Sequence, residues 1–204
     1  YAAVSAALHA REAKLLTQAM AERMIDAATP EESYKTLLEC GYAPLERCTL
    51  ENVEHALSQA RRELYREVSV LAPDKRIIEL FQIKYDYHNA KLALKSKRTG
   101  EDLSRLAMDC GRFDAKKVLR GETSAVSAAM SRAMAQAESE VGHSGDLRMA
   151  ELLLDRACYE EMSALASEMG STFLKDYVAL QIDAVNLRTL VRARRMGCED
   201  DVFA

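Results

Sequence analysis

The sequence has no tryptophan, 3 prolines, 8 glycines among 204 residues and an aromatic content of 6%. So little Gly and Pro excludes the close-set turns of an all-β sandwich and the Gly-rich loops of nucleotide-binding folds. Neither Gly-x-x-x-x-Gly-Lys nor Gly-x-Gly-x-x-Gly is present. No apolar run approaches the roughly 20 residues that span a bilayer. The apolar opening, Tyr1 to Ala10, has no basic flank, so a soluble chain without a signal peptide is expected. The five cysteines (Cys40, Cys48, Cys110, Cys158, Cys198) are an odd, scattered set without a Cys-x-x-Cys pair. That speaks against a disulfide framework or structural zinc and for a reducing compartment. His9, His55, His88 and His143 lie far apart, with no metal-ligand spacing. No catalytic residue, metal, cofactor or small-molecule substrate is expected, and a net charge of −4 disfavours nucleic acid as a partner.

What is present is helical material. Half of the chain (49%) is apolar and 29% is charged, with heavy use of good helix formers. One long helix is predicted from Tyr1 to about Ala27. Thr29 then reads as an N-cap, with Pro30 at the first helical position and Glu32 closing a capping box, for a short helix that stops at Gly41. Thr49 precedes a helix over Leu50 to Leu71, and Pro73 starts another that runs to Gly100. Short helices are expected between Glu101 and Gly121, and a longer one from Glu122 to Val141. Gly142 to Gly145 reads as a linker, with Asp146 capping Leu147 to Met169. A last helix, Ser171 to Met196, closes at Gly197. The fold class is all-α, a helical bundle.

Self-comparison finds one register, at an offset of 97 residues. Asp86, Asn89, Lys91, Lys95, Lys97, Arg98 and Gly100 lie over Asp183, Asn186, Arg188, Arg192, Arg194, Arg195 and Gly197. An apolar stripe repeats too: Ile83, Tyr87, Ala90 and Leu94 share their 4-3-4 spacing with Leu180, Ala184, Leu187 and Val191. The chain therefore divides into two similar helical modules, 1–100 and 101–204. The two helices should superpose, with Asn89 and Asn186 in equivalent environments and both stripes facing the bundle core.

Two readings of Asp86-x-x-Asn89 and Asp183-x-x-Asn186 remain open. Either the pairs are partly buried and fix how helices dock, since buried polar groups need partners, or they contact a ligand or a partner protein. The basic residues Lys91, Lys95, Arg188 and Arg192 are similarly either a solvated face or an electropositive surface for an acidic partner.

Several stretches resemble the C subunit of the archaeal and bacterial A/V-type ATPases, counterpart of the eukaryotic V-ATPase d subunit. They are Tyr1-x-x-Val4 with Glu12-Ala13-Lys14-Leu15-Leu16, Glu31-Glu32 with Gly41-Tyr42, Lys84 to Lys91, Leu154-Asp155-Arg156, Asp176-Tyr177 and Ile182 to Arg188. They occur in the family's order over nearly the whole chain. Ala7 and His9 stand where the family usually carries arginines, and its members usually have three modules, so a longer natural protein is expected. The resemblance implies a non-catalytic central-stalk subunit of a rotary ATPase. Such a component couples a shaft of D and F subunits to the membrane rotor ring, on the cytoplasmic face of the membrane. It would serve ion transport, of protons or sodium, linked to ATP synthesis or hydrolysis. The alternative is a free-standing helical-repeat adaptor that binds other proteins.

Overall fold

The computed structural model describes residues 2–195. Every regular element among them is helical: α1 (Ala2–Glu12), α2 (Gln18–Ile25), α3 (Pro30–Glu39), α4 (Leu50–Leu71), α5 (Arg76–Thr99), α6 (Ala115–Leu119), α7 (Ala128–Ser144), α8 (Leu147–Glu168) and α9 (Thr172–Arg195), with 3-10 turns at Ser104–Leu106 and Thr123–Ala125. No described helix is long and apolar enough to cross a membrane.

Most helix boundaries follow local chemistry. Thr29 Oγ1 accepts the Glu32 N–H, and the Glu32 carboxylate accepts the Ala28 N–H, so the capping box closes one residue upstream of the cap. Thr49 and Asp146 cap α4 and α8 as expected. Three expectations are corrected. The opening helix is broken, because Thr17 accepts the Met20 N–H and starts a new helix there, a local alternative to continuing the first. Ser127 likewise starts α7 later than Glu122, after the 3-10 turn, by accepting the Met130 N–H. That helix then absorbs Gly142 to Ser144 and ends at Gly145, whose φ of 69° suits a residue without Cβ. The expected stop at Gly197, like Cys198, lies outside the described residues.

The chain forms two compact units, Tyr1–Ile78 and Glu79–Ala204. In the first, α2 packs on α3, Arg23 pairs with Glu39 at 2.5 Å, and the Tyr34 hydroxyl donates to the Ala43 carbonyl at 2.7 Å. The second holds a continuous apolar core. Leu80, Ile83, Tyr87, Ala90 and Leu94 of α5 join Met130 and Met134 of α7, Leu154, Cys158 and Met162 of α8, and Leu174 and Val178 of α9. The residues of α5 from Glu79 onward belong to this unit. The structural division therefore falls at 78/79, while sequence self-similarity places one at 100/101, and both Asp-x-x-Asn helices lie in the second unit.

Candidate functional site

The most organised polar region of the second unit is a clamp between α5 and the segment Leu106–Phe113. Asp86 and Asn89 are both fully buried, three residues apart and so adjacent on one helical face. Asn89 pairs with a single peptide residue at two points: Nδ2 donates to the Met108 carbonyl (2.7 Å) and Oδ1 accepts the Met108 N–H (2.9 Å). Asp86 Oδ1 accepts the N–H groups of Arg112 (2.9 Å) and Phe113 (3.3 Å), and Oδ2 accepts Arg112 Nε (2.6 Å). Gln82 Nε2 donates to the carbonyls of Cys110 and Gly111, and the His88 ring bonds to the Leu106 carbonyl. One face of α5 thus satisfies the backbone of an irregular, partly buried segment that has no secondary structure to do so.

Arg112 extends the clamp to α8. Its Nη1 donates to Glu161 at 2.8 Å, and Glu161 also accepts the Tyr87 hydroxyl at 2.8 Å. Burial pushes the Asp86 carboxyl above the usual carboxylate range, with Arg112 and the two backbone N–H groups pulling the other way. Burial also works against the Arg112 charge, but hydrogen bonds to Glu161 and Asp86 outweigh it and raise its pKa. Burial and the neighbouring Glu161 raise Tyr87 in turn. This is an ion network held where charge is disfavoured, so its members depend on one another for solvation.

The expected site residues separate into two groups. Asp86 and Asn89 come together in the clamp, and Lys91 and Lys95 bind α8 through Asp155 (2.6 Å) and Glu151 (2.6 Å). These lysines are therefore inter-helix ties, not a free electropositive face. Asp183, Asn186, Arg188 and Arg192 are all exposed on α9. The second stripe is exposed as well, with Leu180 at 65% and Leu187 at 64%, against 0% for Ile83 and 1% for Tyr87. The expected equivalence of the two copies does not hold. On α5 the partners of Asp86, Asn89, Lys91 and Lys95 all come from the residues downstream of that helix, whereas the corresponding α9 side chains are exposed.

Sequence reasoning missed Gln82, His88, Arg112 and Glu161. Only Arg112 had a usable signal, as a cation next to a glycine in a broken segment that follows a helix with an Asp on its apolar edge. Chemically the clamp holds and orients. Among the described residues, no group of three or more His, Cys, Asp or Glu could hold a metal ion. An open groove of about 610 Å³ runs between α8 and α9, lined by Leu152, Tyr159, Ile182, Val185, Asn186 and Thr189 among others.

Comparison with known proteins adds a family to this geometry. Residues 4–204 match the family described as "ATP synthase (C/AC39) subunit". The chain belongs to that family. It is 25% identical over 220 residues to the V-type ATP synthase C subunit of Thermus thermophilus, an alignment covering 100% of this chain and 66% of that protein. Against the V-type sodium ATPase C subunit of Enterococcus hirae it is 24% identical over 190 residues, covering 91% and 58%. The A-type ATP synthase C subunit of Methanocaldococcus jannaschii is 22% identical over 219 residues, covering 97% and 55%. The chain thus spans between about half and two thirds of the length of these family members. No solved structure matches.

Proposed function

We propose that the protein is a non-catalytic coupling subunit of a V-type or A-type rotary ATPase, seated on the cytoplasmic face of the membrane between the D–F shaft and the rotor ring. The observation that carries this reading is the family match, which runs from residue 4 to residue 204. The fold supports it. A part that transmits torque needs interfaces that resist shear, and α5 is tied to its neighbours by directional polar contacts as well as apolar packing. The clamp has the groups to hold a backbone. In this role the protein takes part in ion transport through its place in the complex, with ATP chemistry carried by other subunits.

The test is binding. The protein expressed from its complete reading frame should co-purify with a recombinant D–F complex and with detergent-solubilised rotor ring. Binding to neither, by a correctly folded protein at low salt, refutes the reading.

A further inference from the structure

Between α5, α8 and Met108 lies a cavity of about 260 Å³ that the clamp does not use. Three basic side chains of α5 line it: Lys84, His88 and Lys91. Their spacing of four and three residues sets them along one face of the helix, over about two turns. Lys91 is tied to Asp155 at 2.6 Å, so its ammonium is fixed at the wall with N–H groups to spare. The His88 ring is anchored through Nε2 to the Leu106 carbonyl. Lys84 is exposed and makes no ion pair among the described residues. Its Nζ stands 5.0 Å from the centre of the Tyr85 ring, a contact that steadies the ammonium without neutralising it.

The groups that would oppose an anion there are neutralised. Among the described residues lining the cavity, Asp155 is the only carboxylate, and it is paired with Lys91. Burial pushes the Cys158 thiol up to about 12, so it carries no charge near neutral pH. Burial also raises Tyr159, so its hydroxyl keeps its proton. That hydroxyl makes no hydrogen bond among the described residues and is a donor in want of an acceptor. The Tyr87 hydroxyl, by contrast, is spent on Glu161. Two lysines against one carboxylate leave the cavity with an excess of positive charge.

We propose that this cavity binds a phosphate group, either as free inorganic phosphate or as the head of a phosphomonoester. Lys84 and Lys91 supply the charge from α5, and Tyr159 donates from α8. A tetrahedral oxyanion presents several acceptors at once, which matches donors reaching the cavity from two helices. The size agrees, since pockets for drug-sized molecules run from about 300 Å³ upward and this one is smaller. The inference does not depend on the coupling role and stands or falls separately from it.

Isothermal titration of the complete protein with inorganic phosphate tests it, at low ionic strength held constant with chloride. Saturable one-site binding with a Kd of about 5 mM or tighter is expected. Lys84→Ala, a change at an exposed side chain, should weaken binding by about fivefold or more. Asp155→Asn should tighten it by about threefold or more, because it removes the carboxylate and releases Lys91. Lys116→Ala, at an exposed lysine on α6 outside the cavity, should leave Kd unchanged. Glycerol phosphate separates the two sources: tighter binding than inorganic phosphate makes a phosphomonoester the ligand, and equal or weaker binding makes it free phosphate. Absence of saturable binding overturns the proposal. So do equal effects of Lys84→Ala and Lys116→Ala, a comparison that still decides if Asp155→Asn folds poorly. Weaker or unchanged binding by a folded Asp155→Asn variant overturns it as well.

Discussion

Gly111 offers the cleanest test of the clamp, because steric contact and backbone freedom separate there. Its φ is not positive, unlike those of Gly41, Gly100, Gly121, Gly145 and Gly170. Alanine is therefore conformationally acceptable at 111, and restricting the unfolded chain should stabilise by about 0.4–1 kcal/mol. Opposing this, the new Cβ would stand 2.2 Å from Asp86 Oδ1 and 3.2 Å from its Cγ. The carboxylate cannot swing aside freely, because Oδ1 holds the N–H groups of Arg112 and Phe113 while Oδ2 holds Arg112 Nε. Moving it strands two partly buried donors at about 1–3 kcal/mol each. Gly111→Ala should therefore destabilise the second unit by about 2–4 kcal/mol net. Urea unfolding followed by far-UV circular dichroism measures this, with hydrogen exchange of α5 amides to assign the change to the second unit. In an Asp86→Ala background the oxygen is gone, and the same substitution should be neutral or slightly stabilising. A wild-type cost below about 1 kcal/mol, or equal costs in both backgrounds, would refute the reasoning.

Tyr87→Phe removes a hydroxyl that donates to a carboxylate and leaves no cavity, so it should cost about 1.5–3 kcal/mol in the same urea assay. An unchanged midpoint would show that Glu161 needs only Arg112. Burial pushes the Cys158 thiol up to about 12 from 9.0, so at pH 8 it should react with a disulfide reagent only as fast as the second unit opens. Its folded pKa is raised, so its contribution is whole below about pH 9, where both states are protonated, and is lost as pH rises toward 12. In that window the unfolded chain releases its proton first, and stability should fall by about 1.4 kcal/mol per pH unit from this group. Cys158→Ala should flatten that part of the stability-versus-pH curve, and an unaltered curve would exclude Cys158 as the cause.

Elements whose ends are set by neighbouring residues were legible from the sequence, and elements set by competition were less so. Thr49 with Leu50, Asp146 with Leu147 and Thr29 with Pro30 each carry a complete local signal, and those helices begin as read. Thr17 carries half of such a signal inside a run of good helix formers. Whether it interrupts the run depends on a small free-energy difference that a pattern does not report. The polar pairs show the same limit at the next level. Spacing alone placed Asp86 beside Asn89, and Asp183 beside Asn186, on one helical face. It could not show that Arg112 and Glu161 complete the first pair, because those residues lie 26 and 75 positions away along a folded path.

The contacts made on α5 explain why Asp86 and Asn89 matter more to the clamp than their neighbours on the same helix. Asp86 and Asn89 bind the peptide groups of residues 108, 112 and 113, and Asp86 also constrains the side chains at Gly111 and Arg112. Gln82 and His88 also bond to backbone, but only to carbonyls, Gln82 to those of Cys110 and Gly111 and His88 to that of Leu106, and their counterparts on α9 are Ala179 and Val185. Asn89, by contrast, satisfies a donor and an acceptor of one residue at once, and Asp86 satisfies two donors and a guanidinium. Losing either leaves several buried groups unpaired, at about 1–3 kcal/mol each. Asp86 and Asn89 are therefore the positions on α5 whose loss strands the most partners. Asp-x-x-Asn beside an apolar stripe thus holds a backbone on α5, while the same pattern on α9 is exposed among the described residues.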